Sequence, residues 1–275
     1  MSRLAIIAGA GRFPFYVAEE AKRQGLSVIA LGIQGWADPE LARHVEAYEE
    51  IHIGKLGQLI QRLKAHGAQQ VLMAGKVTKE VLFKNILSFD REMLAIVTRV
   101  RDASVNGLLG AVGDRLAREG IQLLDSSTYL KTSLCPADVL TLRRPSSSEQ
   151  EDIQIGLRAA RTLADLDAGQ TVVVKERVIV ALEALEGTDA AIRRAHALAG
   201  DGLVVVKTAA PKQDRRFDLP VIGMTTIETL RDSGVRCMAL EAGATLLLDR
   251  AAVVAAADAA QICLIGVNLK TQSQV

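Results

Sequence analysis

The sequence predicts an α/β protein, with an open, doubly wound parallel sheet over the first ~125 residues and a distinct second α/β domain with a mixed sheet. Three observations carry this. Short apolar runs alternate with helix-periodic stretches through the first half. A glycine turn, Gly9-Ala10-Gly11-Arg12-Phe13-Pro14, directly follows the first apolar run. The second half contains two β-branched runs, Gln170 to Val174 and Val178 to Leu182, separated only by Lys175-Glu176-Arg177, which read as a hairpin.

Taken in order, Leu4 to Ala8 is a strand, Pro14 to Gln24 a helix stopped by Gly25, and Ser27 to Leu31 a second buried strand. Strand, turn, helix and strand make a βαβ unit, whose parallel strands require helices packed on the sheet. Glu50 to Ile53 and Gln70 to Ala74 read as further strands, with a helix over Gln58 to Ala65. From Asp90 to Glu119 apolar residues recur at helical spacing (Met93, Ile96, Val97, then Leu108, Leu109, Val112, Leu116), giving two helices broken near Asn106-Gly107. Ile121 to Leu124 is a strand, and Asp125-Ser126-Ser127-Thr128 reads as a helix cap in preference to a strand-end ligand position.

Leu142 to Glu149 is polar, serine-rich and holds Pro145, which sets a domain boundary between about 130 and 150 and divides the chain into 1–135 and 136–275. The helix that follows, Glu149 to Ala164, carries a Ser-x-x-Glu arrangement at Ser148 and Glu151. After the hairpin, Thr188 or Asp189 caps a helix running through Ala195. Leu203 to Val206 and Leu219 to Ile222 are apolar strands, followed by a helix at Thr225 to Ser233 and a strand at Val235 to Leu240. Thr245 to Leu248, an Ala-rich helix from Arg250 to Ala260, a last strand from Ile262 to Val267 and a polar tail from Leu269 complete the chain.

Composition excludes several functions. The 275 residues are 49% apolar and carry a formal net charge of +1, so no global field draws nucleic acid. Only 3% are aromatic, which leaves few platforms for stacking bases. Cys135, Cys237 and Cys263 stand far apart without a CxxC pair and read as reduced core thiols of a cytosolic protein. No signal peptide opens the chain, and no apolar run reaches the ~18 residues of a membrane span, so a soluble protein is expected. The four histidines lack metal-ligand spacing, and neither a Gly-x-Ser-x-Gly nor a Walker A pattern is present.

The densest chemistry lies between Lys207 and Gly223. Four cations (Lys207, Lys212, Arg215, Arg216), two carboxylates (Asp214, Asp218) and Gln213 stand between two apolar strands. Lys and Arg suit phosphate oxygens, and a carboxylate among them can hold a divalent metal or orient water. A solvated loop of mutually paired charges is the plainer account. Glu183, Glu186 and Asp189 gather carboxylates at a helix start, facing Arg193 and Arg194, a mixture suited to a metal–diphosphate. The first turn matches the dinucleotide fingerprint at Gly9 and Gly11, but Pro14 takes the third glycine's place. No acidic residue follows the second strand, where Leu31-Gly32-Ile33-Gln34 stands, which disfavours NAD and leaves either a phosphate or nucleotide at the helix start or a purely structural turn.

Ile-Ala-Gly-x-Gly-x-x-Pro at the start, Ala-Gly-Lys-Val at 74–77 and Asp167-Ala168-Gly169-Gln170 belong to one pattern with two longer motifs. These are Glu183-Ala184-Leu185-Glu186-Gly187-Thr188-Asp189 and Lys-x-x-x-Pro-x-Gln-Asp-x-Arg-Phe-Asp-Leu-Pro. The chain resembles the LpxI-type UDP-2,3-diacylglucosamine pyrophosphatases of lipid A biosynthesis over nearly its whole length. The resemblance implies a Rossmann-like N-terminal domain, a C-terminal catalytic α/β domain and a ligand held between them. It implies Mg2+-dependent hydrolysis to UMP and 2,3-diacylglucosamine 1-phosphate (lipid X). By motif, Asp218 is the essential carboxylate, with Asp218 and Asp189 toward the metal. Gly11, Gly75 and Lys76 line the nucleotide-sugar side, and Glu186, Gly187, Thr188, Asp189 and Lys207 fall near the diphosphate and uridine. Arg215 and Arg216 are candidates to neutralise the diphosphate. Ala210 stands where the family often has a second Lys before the proline, with Lys212 as a substitute.

The expected partner is a lipid nucleotide-sugar and not a nucleic acid, and the expected place is the cytoplasm. Peripheral contact with the inner face of the inner membrane and homodimerisation stay open. So do two other functions, a non-catalytic nucleotide-sugar binder and, against the missing ribose carboxylate, a nicotinamide-dependent oxidoreductase.

Overall fold

The computed structural model describes residues 3–77, 88–99, 105–166, 168–210, 214–217 and 219–269. It divides into two compact units, Met1–Lys131 with Asp214–Asp218, and Thr132–Gln213 with Leu219–Val275.

In the first unit, β1 (Arg3–Ala8), β2 (Ser27–Ile33), β3 (Ala47–Ile51), β4 (Gln70–Ala74) and β5 (Gln122–Leu123) form one sheet in the order β3-β2-β1-β4-β5. Every pair is parallel, the arrangement of a doubly wound sheet. β1 and β2 are buried almost throughout because helices cover both faces. The helices are α1 (Phe13–Arg23), α2 (Leu56–Ala65), α3 (Arg91–Val97) and α4 (Val105–Arg118). Leu56, Leu59, Ile60 and Leu63 of α2, Met93 of α3 and Val112 and Leu116 of α4 pack with Ile29, Leu31 and Val71 in one core.

Three local expectations are corrected here. β3 begins at Ala47 rather than Glu50, because it follows β2 from the Ile29–Ala47 pair onward, and His52 turns the chain by accepting from the Gly54 N–H at 3.1 Å. The break between the two helices falls between Val97 and Val105 rather than at Asn106-Gly107, which lies in the first turn of α4, outside the helix interior where a glycine costs most. Asp125-Ser126-Ser127-Thr128 caps no helix. Asp125 Oδ1 accepts from the Ser127 N–H (2.7 Å) and hydroxyl (2.6 Å), closing a turn on itself.

The second unit is built on β6 (Thr171–Lys175), β7 (Val178–Leu182), β8 (Leu203–Lys207), β10 (Val235–Glu241) and β12 (Cys263–Val267) in the order β12-β10-β8-β6-β7. β8, β10 and β12 run parallel, while β6 is antiparallel to both β7 and β8, so the sheet is mixed. A two-stranded parallel pair, β9 (Val221–Ile222) and β11 (Leu246–Leu247), adjoins it within the unit. The helices are α5 (Ser147–Asp165), α6 (Thr188–Ala199), α7 (Met224–Asp232) and α8 (Arg250–Ala259).

Strand alternation divides the core in two. Val172, Val174, Val204, Val206, Cys237 and Ala239 face Ile153, Leu157 and Ala160 of α5. Val173, Leu203, Val205, Met238 and Leu240 pack with Ile192 and Ala195 of α6, Ile227 and Leu230 of α7, and Val253 and Ala257 of α8. The hairpin turn holds Glu176 and Arg177 at φ 48° and 68°, the left-handed pair that a two-residue connection requires. Buried Asp152 of α5 stabilises it by accepting both N–H groups, at 3.1 and 2.6 Å.

The α5 cap lies two residues earlier than expected. Ser146 Oγ accepts from the Glu149 N–H (3.3 Å), and Glu149 accepts from the Ser146 N–H (2.7 Å). Arg143 selects this register by holding Glu149 at 2.6 Å, while Glu151 pairs with Arg177 at 3.2 Å. Among the described residues no helix is long and apolar enough to cross a membrane. All three cysteines are buried free thiols. The polar tail beyond Leu269 lies outside the described residues.

Candidate functional site

The site residues of the first unit gather at the carboxyl ends of β1, β4 and β5, where open α/β sheets bind ligands. Gly9 and Gly75 follow directly on the paired ends of β1 and β4. A β-carbon on Gly9 would lie 2.8 Å from the Lys76 carbonyl oxygen, and one on Gly75 would lie 2.7 Å from the Gly9 carbonyl carbon. Ala10 and Lys76 then exchange two backbone hydrogen bonds of 2.9 Å, joining the two turns. The first glycine of the motif therefore serves this close approach of two backbones. Gly11 has φ +92° with nothing within 4 Å of a β-carbon, so its constraint is conformational. Gly11, Gly75 and the Lys76 side chain are exposed at this end.

Arg215 and Arg216 join the same end of the sheet. The Ser126 hydroxyl lies within hydrogen-bond distance of both the Met73 carbonyl of β4 (2.9 Å) and the Arg216 carbonyl (2.8 Å), and the Ser126 N–H donates to the Arg215 carbonyl (2.9 Å). Phe217 packs against the first core. Arg215 reaches Asp125 at 3.1 Å. Arg216 forks onto Asp214, with Nε 2.9 Å from both carboxylate oxygens and Nη2 2.5 Å from Oδ2. That hydrogen bonding holds the Asp214 carboxyl below its ordinary range and raises Arg216. Gly113 of α4 makes room for the guanidinium, since a β-carbon there would stand 2.9 Å from Arg216 Nη1. Asp218, Lys212 and Gln213 lie outside the described residues.

In the second unit, strand register builds a cluster. Thr171, at the start of β6, pairs with Lys207, at the end of β8, and its carbonyl accepts from the Glu183 N–H at 2.9 Å, just past the end of β7. Lys207 continues the face of Leu203 and Val205, beneath α6. Its Nζ donates to Thr188 Oγ1 at 2.8 Å and Thr171 Oγ1 at 3.1 Å, and stands 3.9 Å from Glu183 Oε2. The Thr188 hydroxyl lies 2.9 Å from Glu183 Oε1. Lys207 is 4% exposed and Glu183 8%, and such burial is tolerable only for charges that are paired and hydrogen-bonded.

Neither Thr188 nor Asp189 caps α6. Gly187 is the cap residue, with φ 83° and no side-chain bond, and Thr188 instead faces Lys207 and Glu183. Asp189 stands in the first turn. Glu186 accepts from Arg194 at 2.5 Å, which holds its carboxyl below the ordinary range. Arg193 does not join these carboxylates and donates to Thr229 at 3.2 Å. Glu183 is the functional candidate that motif reading passed over as one of three carboxylates. Its signal was its place one residue past a β-branched strand, β7, whose partner β6 also pairs with Lys207's strand β8.

Among the described residues no group of three or more His, Cys, Asp or Glu is placed to hold a metal. Mg2+ commonly uses one or two carboxylates and takes its remaining oxygens from phosphate and water. Asp189 stands in the first turn of α6, while Glu186 and Glu183 are engaged by Arg194 and Thr188.

A cavity of about 1190 Å³ in the first unit is lined by Arg3, Ser27, Gln70 and Gln122, the first residues of β1, β2, β4 and β5. It lies at the amino ends of the strands, opposite the glycine turns, and its Arg3, Ser27 and Glu46 side chains bond to one another. This is not where a sheet of this kind takes its ligand.

A parallel sheet of order 3-2-1-4-5 with glycine-lined carboxyl ends, and a mixed-sheet unit with a buried Lys–Thr–Glu cluster, define a two-unit α/β protein suited to anionic ligands. The family models "LpxI N-terminal domain" and "LpxI C-terminal domain" match residues 3–133 and 136–265. The chain belongs to the LpxI family. A relative, "UDP-2,3-diacylglucosamine pyrophosphatase LpxI" of Caulobacter vibrioides, is 32% identical over 98% of each chain. Among solved structures, a "CobK precorrin-6A reductase" aligns over 98% of this chain and 88% of its own at 14% identity, but its TM-score of 0.34 is too low to argue from.

Proposed function

We propose that this chain hydrolyses the diphosphate of UDP-2,3-diacylglucosamine, releasing UMP and 2,3-diacylglucosamine 1-phosphate in lipid A biosynthesis. The observation that carries the reading is the end-to-end match to the Caulobacter pyrophosphatase, 32% identical over 98% of both chains. The distribution of groups supports it. Gly11, Gly75 and Lys76 offer an open backbone and a cation for the nucleotide sugar. Arg215 and Arg216 of the first unit and Lys207 of the second are the cations assigned to the diphosphate, whose growing negative charge such groups stabilise. Asp218 is assigned to orient the attacking water.

Asp218 and Asp189 would hold Mg2+, which would polarise a phosphoryl oxygen when bound. Gly187, Thr188 and Glu186 would line the substrate at the start of α6. A position at the inner face of the inner membrane goes with an acylated substrate.

The test is UMP release from UDP-2,3-diacylglucosamine, with Mg2+ and after its removal by chelation. Turnover that falls by orders of magnitude in Asp218→Ala supports the reading, and near-native turnover removes Asp218 from its role. Tight binding of the substrate without turnover across several divalent metals would instead identify a nucleotide-sugar binder. Hydrolysis in heavy-oxygen water then shows, by which product carries the label, which phosphorus is attacked.

A further inference from the structure

We propose that Glu183 is a positioning residue that fixes the Lys207 ammonium and the Thr188 hydroxyl at the start of α6. This rests on the hydrolase reading above, in which Lys207 serves the diphosphate. Three strand ends set the arrangement. Glu183 follows β7, Thr171 opens β6 and Lys207 ends β8, and the register puts Thr171 beside Lys207 and bonds it to the Glu183 N–H. Both Glu183 oxygens are used, Oε1 by the Thr188 hydroxyl at 2.9 Å and Oε2 by the Gln170 N–H at 3.3 Å, so the carboxylate cannot rotate freely. Oε2 stands 3.9 Å from Lys207 Nζ, and Thr188 bridges the two charges.

The inward neighbours on this face, Val173, Leu203 and Val205, are all apolar. Polarity begins only at the strand ends, beneath the half-buried Thr188 that opens α6. An apolar pair of similar volume would hold these strands at least as well, because a buried ion pair seldom gains stability over packed hydrocarbon. A cation held in a nearly dry site and aimed by two hydroxyls and a carboxylate is instead suited to meet an anion, with little reorganisation as charge develops.

Three variants test this: Glu183→Gln, Lys207→Met and the two combined. Removing one partner leaves a buried charge uncompensated, so each single variant melts below wild type, while the neutral pair in the double variant regains thermal stability. With the substrate assayed for UMP release, Glu183→Gln is expected to lower kcat by about 10- to 100-fold with KM little changed, the scale seen when supporting residues around a reactive group are lost. The double variant, which has also lost Lys207, should keep a low kcat although its melting temperature recovers, so that stability and activity separate. A native kcat in Glu183→Gln would overturn the proposal alone. A wild-type protein that releases no UMP would overturn the hydrolase reading and this proposal with it.

Discussion

Gly9 and Gly75 face each other where β1 and β4 end, so closely that a β-carbon on either would fall within 3 Å of the opposing backbone. Neither turn could approach the other with any other residue in place. Gly9→Ala and Gly75→Ala are each expected to destabilise the protein by about 1–3 kcal/mol, the cost of overpacking a close contact. Gly110, in α4, has nothing within 4 Å of a β-carbon. Gly110→Ala is the control and should be neutral or stabilising by up to about 1 kcal/mol, as helix propensity dictates. Urea midpoints of the three variants decide the matter.

The α5 cap separates two neighbouring serines. Ser146→Ala is expected to cost about 1 kcal/mol, because it removes an N-cap acceptor and half of a capping box. Ser148→Ala should cost much less, since among the described residues its hydroxyl meets that of Ser146, at 3.1 Å, and no backbone donor of the cap. Equal losses on thermal unfolding would mean that the cap does not select Ser146.

Asp214 links stability to pH. Hydrogen bonding from Arg216 lowers its folded carboxyl pKa. Its contribution is therefore fully present above the unfolded value of about 3.9 and is lost as pH falls through the lower folded value. Asp214→Asn should show a constant stability deficit from neutral pH to about pH 5, which shrinks as pH falls below the unfolded value. A deficit that persists undiminished at pH 2 would show that the carboxylate's charge is not its source.

The three thiols should be inert in the native protein. Burial pushes Cys135 up to about 11, and Cys237 and Cys263 face each other across β10 and β12 with no exposed surface. A thiolate is needed for alkylation. Iodoacetamide followed by mass spectrometry should therefore label none of them natively and all of them in urea. Rapid native labelling of any one would contradict the packing described.

The sequence by itself determined the class of fold, because that information is local. Alternation of apolar runs with helical periodicity predicts the parallel unit, and β-branched runs around Glu176-Arg177 predict the hairpin that makes the second sheet mixed. The plainer account of the charged loop, that its charges pair with each other, is also a local relation, and Asp214 with Arg216, two residues on, makes such a pair. Element ends were less legible, since they depend on competition. Ser146 and Ser148 are equivalent caps until Arg143 fixes Glu149.

Only the tertiary structure decided the rest. The stretch from Lys207 to Gly223 reads as one charge cluster, yet Lys207 is buried in the second unit while Asp214, Arg215 and Arg216 belong to the first. Glu183 and Lys207 are 24 residues apart and meet only because β6 runs antiparallel between their strands. Gly9 and Gly75 become partners through the pairing of β1 with β4. A linear pattern records which way each side chain faces along its own strand. Which strand lies beside it is set by burial of whole faces, and that placed the carboxylate next to the cation.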